Sequence, residues 1–370
     1  MFGTVMSVDD VLIIGGGVVG LSIALELAER NLNIRVIERG KVGQEASWAG
    51  AGMIPPGEIH FENEAYRKMA QLSSQMWPEL SEKLNELTGI DNEYQNCGAV
   101  IVTPDSSHRE KEQQAWNEQG IQTEQLAASD CQKYQVVPSA CEGNAYLLAG
   151  QSQTRNPRHL NAMKFACLSR GVKITEHQPV RSIETKAEKM TAVITDSARY
   201  QANHVVIAAG AWSKEFEQSL HVSIPVSPIR GQIVLLKTAG QLKQIVEQKK
   251  RYLVPRRDGR VLIGATEEHV GFVRQNTAHA VRDLIQFATE LVPSLSDAEV
   301  EKCWIGFRPG SPDKLPILGR LEPWENGFIA TAQYRAGLYL SPVTGRLMRQ
   351  LILNETPEIE LNDFSSSRFS

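Results

Sequence analysis

Residues 10–39 read DVLIIGGGVVGLSIALELAERNLNIRVIER, and this stretch decides the fold. Val11-Leu12-Ile13-Ile14 is an unbroken apolar run, too short for a helix and suited to a buried parallel strand. Gly15-Gly16-Gly17-Val18-Val19-Gly20 fits G-x-G-x-x-G, and residues 21–30 follow as a helix with Leu21, Ala24, Leu25 and Ala28 inward. A second apolar run, Ile34-Arg35-Val36-Ile37, ends at Glu38. A strand, a glycine turn, a helix and a strand tipped by an acid form the setting this motif needs. Gly15 permits the tight turn, Gly17 lets a pyrophosphate approach the backbone, and Gly20 lets helix and strand pack closely. The helix N-terminus offers unpaired N–H groups and a positive dipole end to phosphates. Glu38 is placed to accept hydrogen bonds from the ribose hydroxyls of an adenosine. A glycine-rich turn without ligand is the weaker reading here.

At 370 residues the chain suits two domains, with ample length for a core. Its net charge of -4 leaves no electrostatic footprint for nucleic acid or an anionic membrane surface. No apolar run is long enough for a membrane span. The first ten residues lack the basic start and apolar core of an export signal. Five cysteines, Cys97, Cys131, Cys141, Cys167 and Cys303, are scattered and odd in number, without C-x-x-C. That pattern argues against a disulfide framework or a zinc site and for a reducing, cytoplasmic compartment.

After Glu38, residues 39–56 carry many small residues around Trp48, Met53 and Ile54. Such a stretch lets backbone lie flat against something large and planar. Residues 64–87 form a long amphipathic helix with Met69, Leu72, Met76, Leu80, Leu84 and Leu87 on one stripe. From Tyr94 to Leu148 short strands and a polar helix follow with no nucleotide signature, as the first half of a separate domain. Residues 157–170 read as a helix, 180–185 and 191–195 as paired strands, and 204–207 as a buried strand returning to the nucleotide domain. A second mainly β segment runs from Pro225, with Asp258-Gly259 as a hairpin turn. A helix spans 277–291 and a strand 300–308. After a strand at 327–332, Ser341 is read as N-cap and Pro342 as first residue of a final helix. The tail 364–370 reads as frayed.

These residues match a known family. Gly15–Gly20 with Glu38, Ala49-Gly50-Ala51-Gly52-Met53-Ile54 and Ala209-Gly210-Ala211-Trp212-Ser213 resemble the FAD-dependent amino-acid oxidases. So do Tyr252-Leu253-Val254-Pro255-Arg256, Gly264-Ala265-Thr266-Glu267, Gly306-Phe307-Arg308-Pro309-Gly310 and residues 335–345. Within that group the chain is most similar to the glycine oxidases of thiazole (thiamine) biosynthesis, from about residue 11 to 353. The resemblance implies an α/β fold, with a Rossmann-type FAD-binding domain and an antiparallel-sheet α+β substrate domain. The FAD domain would comprise 9–58, 152–222 and 319–370, and the substrate domain 59–151 and 223–318. Gly15, Gly17, Val18, Val19, Gly20, Glu38 and Arg39 would hold the AMP half of FAD. Ala46, Ser47, Ala51, Gly52 and Met53 would run along the ribityl chain and flavin edge, and Val180 would meet the adenine through its backbone. Gln333, Tyr334, Arg335, Ala336, Gly337, Leu338 and Tyr339 would wrap the pyrimidine end of the flavin. There the final helix's N-terminus would stabilise the charge of reduced flavin.

Arg308 lies on a strand of otherwise apolar pattern, so its charge needs either a structural ion pair or a ligand. A guanidinium offers a bidentate fork to a carboxylate, and the family places its carboxylate-binding arginine here. Tyr252 would add a hydroxyl donor, unless it is a core tyrosine, and Arg335 would sit at the substrate mouth. Lys250, where some relatives carry histidine, and Glu267, where others carry methionine, depart from the family pattern. No side chain is needed as catalyst: an amine held by its carboxylate presents its Cα–H for hydride transfer to the flavin, and water hydrolyses the imino acid. The expected partners are a small amino acid or amine and O2. FAD is expected to be non-covalent, with Cys303 facing away from Arg308, and the resemblance implies a homotetramer. Competing readings are a sarcosine or D-amino-acid oxidase, a quinone-linked D-amino-acid dehydrogenase, an NAD dehydrogenase and a flavin subunit without catalysis.

Overall fold

The computed structural model describes residues 8–239 and 242–369. A six-stranded sheet has the order Ile317–Arg320, Gly327–Thr331, Ala202–Ile207, Asp9–Ile14, Ile34–Ile37, Lys173–Thr175. All its pairs are parallel except the edge pair Ile317–Arg320 with Gly327–Thr331. Continuous apolar runs form its central strands because both faces are covered. The helices Val18–Ala28, Asn156–Ser169 and Ser341–Ile352 pack into one core on one side. The strands Val180–Lys186, Lys189–Thr195 and Arg199–Tyr200 form a small antiparallel sheet that contributes to the other core.

An eight-stranded sheet has the order Glu299–Gly310, Ser227–Lys237, Arg260–Gly264, Arg251–Pro255, Ile245–Gln248, Ala99–Val102, Ala145–Leu148, Glu124–Leu126. It is antiparallel apart from the pairing of Ile245–Gln248 with Ala99–Val102. The Asp258-Gly259 hairpin forms as read, with Gly259 at φ +79°. The amphipathic helix Ala278–Leu291, capped by the Thr277 side chain, packs on one face of this sheet.

The long helix is Glu64–Thr88, capped by Asn63 at one end and ended by Gly89 at φ +69°. Its apolar stripe joins the core of the six-stranded sheet, and Trp77, outside the stripe, is its largest fully buried side chain. The division 9–58, 152–222 and 319–370 against 59–151 and 223–318 stands as a proposal, with this helix packed on the first of these cores.

Three expectations are corrected. A disulfide joins Cys131 to Cys141, both buried, across the turn between Ala128–Lys133 and Pro138–Ala140. A cysteine count cannot register a pair that a local turn brings together. Ser341 is not the N-cap: Leu340 caps the helix without a side-chain bond, because its N–H already bonds the Ala336 carbonyl. The tail is tied down to residue 369, with Phe364 fully buried and Arg368 paired with Asp313 at 2.8 Å. The reading of an absent export signal falls largely on residues 1–7, outside the described residues. Among the described residues, no helix is long and apolar enough to cross a membrane.

Candidate active site

A groove of about 750 Å³ is lined by residues of both large sheets and the loops at their ends. One end is the glycine turn. Gly15 holds φ +114°, and a Cβ there would lie 2.4 Å from the Ala208 carbonyl oxygen. A Cβ on Gly20 would lie 2.0 Å from the Gly15 carbonyl oxygen, so helix and strand can pack only without it. Gly17 precedes the first helical turn, which has no side-chain cap. Ser47 accepts from the Val18 N–H at 3.0 Å. Glu38 accepts from the N–H groups of Gly16 and Gly40, both at 2.8 Å, which orients its carboxylate at the tip of the strand. Burial raises its pKa, and these two bonds oppose the rise.

Arg39 stacks on the Trp212 ring, 4.3 Å from its centre, and both line the groove beside Val180. Trp212 was visible only as part of a motif. Of the residues expected at the cofactor, Gly20 and Ala336 lie behind the wall, and the rest line it.

The loop 49–54 is held from the other sheet. Arg256 donates to the Ala51 carbonyl at 2.7 Å, the Gln153 Oε1 at 2.8 Å and the Thr154 carbonyl at 3.0 Å. Burial lowers its pKa to about 10, with Arg155 adding to the effect. The Trp304 ring N–H donates to the Ala49 carbonyl at 3.1 Å. Sequence reading did not single out Arg256, whose partners lie about a hundred and two hundred residues away. Across the groove, Ala332 and Tyr334 hold φ +57° and +48° on either side of Gln333. Non-glycine residues in this region are strained, and such strain gathers at functional loops. Among the described residues, buried Gln333 Oε1 and Asn156 Oδ1 have no hydrogen-bond partner, and both residues line the groove. A helix start with no cap of its own at Gly17, an oriented acid at a strand tip and these unpaired acceptors fit a flavin dinucleotide.

Beyond these loops lie Tyr252, Arg308 and Arg335. Gly231 leaves the space that the Arg308 guanidinium fills, since a Cβ there would sit 2.5 Å from Nη1. Gly264 does the same for the Tyr252 ring, at 2.4 Å. Arg308 Nη1 donates to the Thr266 carbonyl at 2.9 Å, and among the described residues no carboxylate pairs with it. Burial pushes the Tyr252 phenol up, against the pull of Arg308 and Arg335. Arg335 is hydrogen-bonded to Glu267, and Lys250 lies 3.6 Å from the same carboxylate. Burial alone would raise Glu267, but Tyr334, Arg335 and Lys250 outweigh it and hold the carboxyl at about 2. The two departures from the family pattern therefore form one charge cluster with Arg335.

Cys303 packs into the core under the helix Ala278–Leu291, whereas Trp304 joins the cluster containing Ala51 and Tyr252. The strand's register slip lies opposite Leu235 and Leu236, away from Gly306. Cys303 thus faces away from the groove.

Residues 10–351 match the profile of the DAO family, FAD dependent oxidoreductase. Glycine oxidase of Pseudomonas putida is 35% identical over 355 residues, covering 95% of this chain and 96% of that protein. The bifunctional protein ThiO/ThiG of Synechocystis sp. is 35% identical over 372 residues, covering 97% of this chain and 54% of that protein. The crystal structure of glycine oxidase from Geobacillus kaustophilus superposes with a TM-score of 0.93 at 30% identity, covering 98% of this chain and 99% of that one. With the glycine turn, the oriented Glu38 and the two-sheet groove in place, the chain belongs to the DAO family of FAD-dependent oxidoreductases.

Proposed function

We propose that the protein oxidises glycine and other small amines or amino acids to the imino acid, which water converts to glyoxylate and ammonia in the case of glycine. Dioxygen takes up the two electrons as hydrogen peroxide. The observation that carries this reading is Arg308, a guanidinium beside Tyr252 at the end of the groove, bonded to a carbonyl and to that hydroxyl, with no acid paired to it among the described residues. A half-buried guanidinium without a counter-charge is open to an anion, and a substrate carboxylate would supply that charge.

FAD, when bound, supplies the hydride acceptor. The chain's own residues do the rest. Arg308 and Tyr252 hold the substrate carboxylate and so fix the direction of the Cα–H bond. Arg335, already neutralised by Glu267, borders the site without competing for that carboxylate. Gly15, Gly17, Val18, Val19, Glu38, Arg39 and Val180 would hold the adenosine and pyrophosphate. Ala46, Ser47, Ala51, Gly52 and Met53, with 333–339, would enclose the flavin. Gly20 and Ala336 would support this wall from behind. The same reading takes FAD to be non-covalent and the enzyme to be a cytoplasmic homotetramer. The name of the Synechocystis relative supports a place in thiazole formation.

Anaerobic addition of glycine, sarcosine and D-alanine to the purified flavoprotein tests the activity. Flavin reduction by glycine, then peroxide formation on admitting air, is expected. Reduction reversed by a quinone and not by air would turn the reading to a dehydrogenase.

A further inference from the structure

A second cavity, of about 310 Å³, abuts the substrate end of the groove. Met53, Pro55, His60, Glu247 and Lys249 line both spaces. Glu247 lies directly opposite Tyr252 in the antiparallel register of Ile245–Gln248 with Arg251–Pro255. Directly paired residues share one face of a sheet, so this carboxyl stands beside the proposed carboxylate anchor.

The cavity walls are of two kinds. Trp116, Tyr146 and Leu148, with Ile59 and Ile101, give an apolar and aromatic lining. Glu58, Glu112 and Glu247 add three carboxyl groups, against one exposed amine, Lys249. His60 and His108 complete the titratable set. Most of these groups are committed. Glu58 accepts from the His60 N–H at 2.5 Å, Glu112 accepts from the Tyr146 hydroxyl at 2.8 Å, and His108 bonds Asp105 at 2.9 Å. The Glu247 carboxyl has no hydrogen bond or ion pair among the described residues. Glycine would reach none of this space. An anionic side chain would meet three carboxyls, and a plain alkyl chain would leave Glu247 unpaired. A chain with methylenes against the aromatic rings and a cation at Glu247 satisfies both parts of the wall.

We propose that Glu247 and the cavity behind it form a subsite for the cationic end of a longer substrate, a diamino acid whose carboxylate rests on Arg308 and Tyr252. The inference rests on the amine-oxidising reading above and adds no new chemical step; it names a substrate class. Burial, with the charge of Glu112 adding, pushes the Glu247 carboxyl up to about 7, against the pull of Arg335. An arriving ammonium group would pull it down again, so preference for a cation grows as pH rises through that region.

The test compares D- and L-ornithine with D- and L-norleucine, equal in length and shape but lacking the second charge. Binding to the FAD-loaded protein is followed by anaerobic calorimetry, and turnover by peroxide release. One ornithine enantiomer is expected to bind at least about ten-fold more tightly than its norleucine counterpart at pH 8, and less selectively at pH 6. Glu247→Gln is expected to abolish that ratio, and Glu247→Asp, which keeps the charge, to retain part of it. Equal binding of the two compounds in the wild type, or an unchanged ratio in Glu247→Gln, overturns the subsite. Glycine in the same assay reports the underlying activity separately: reduction by glycine without selectivity for ornithine sinks only the subsite. Selective binding without reduction by any amine keeps the subsite and sinks the activity.

Discussion

The Arg308 guanidinium donates to the Thr266 carbonyl oxygen at 2.9 Å and to the Tyr252 hydroxyl beside it, and among the described residues no carboxylate pairs with it. Arg230, on the neighbouring strand, is by contrast paired with Glu268. Two arginines on adjacent strands thus divide between an internal ion pair and an outward-facing fork.

Arg308→Ala should therefore lower kcat/KM for glycine by roughly two to four decades, about 3–5 kcal/mol, mostly through KM. FAD content should stay at the wild-type level, and Arg308→Lys should recover only part of the loss. Steady-state kinetics alongside a flavin absorbance ratio checks both. Unchanged kinetics would assign Arg308 to structure.

Glu38→Ala leaves the Gly16 and Gly40 N–H groups without an acceptor, at about 1–3 kcal/mol each. It also removes the acceptor for the ribose. Both this variant and Gly17→Val should purify with little flavin and take up FAD weakly in a fluorescence-quenching titration.

Arg256→Met strips the donor from Ala51, Gln153 and Thr154 together. The flavin loop should loosen, so that FAD affinity falls and the melting temperature drops in the same variant. KM for glycine should move less than in Arg308→Ala.

Glu267 has a folded-state pKa of about 2 against an ordinary value of 4.5. A depressed carboxyl stabilises the fold above its unfolded pKa and loses that contribution as pH falls through the folded one. The stability gap between wild type and Glu267→Gln should hold at pH 5 and above and close between about 4.5 and about 2. Denaturant midpoints along that pH series measure it. A gap that widens toward low pH would contradict the Arg335–Glu267 pairing.

Cys303 packs under the helix Ala278–Leu291, on the side of the sheet away from the groove. Acid precipitation should leave a yellow supernatant and a colourless pellet. A yellow pellet that becomes white in Cys303→Ser would overturn the non-covalent reading.

How much of this was legible depended on sequence distance. The glycine turn and Glu38 act through local spacing, so the dinucleotide end could be read directly from residues 10–39. Arg308 stood out because a charge interrupts an apolar strand. Arg256, Trp212 and Glu247 stood out in no such way. Arg256 acts on Ala51, and Glu247 gains its meaning from facing Tyr252 across a pair of strands. Such roles arise from register between strands, and a one-dimensional pattern carries no register. The Cys131–Cys141 bond was hidden for a related reason, since a turn and not a count brings the two together. Ser341 misled because its residue type favours a cap, whereas the turn at Ala336 starts the helix one residue earlier than a serine cap would.

The most direct measurement is the visible spectrum of the purified protein in a sealed anaerobic cuvette, before and after glycine. The protein should be yellow with FAD, glycine should bleach the flavin band, and air should restore it with about one hydrogen peroxide per glycine consumed. A protein that binds no flavin on reconstitution, or a flavin that no small amine reduces, would contradict the account.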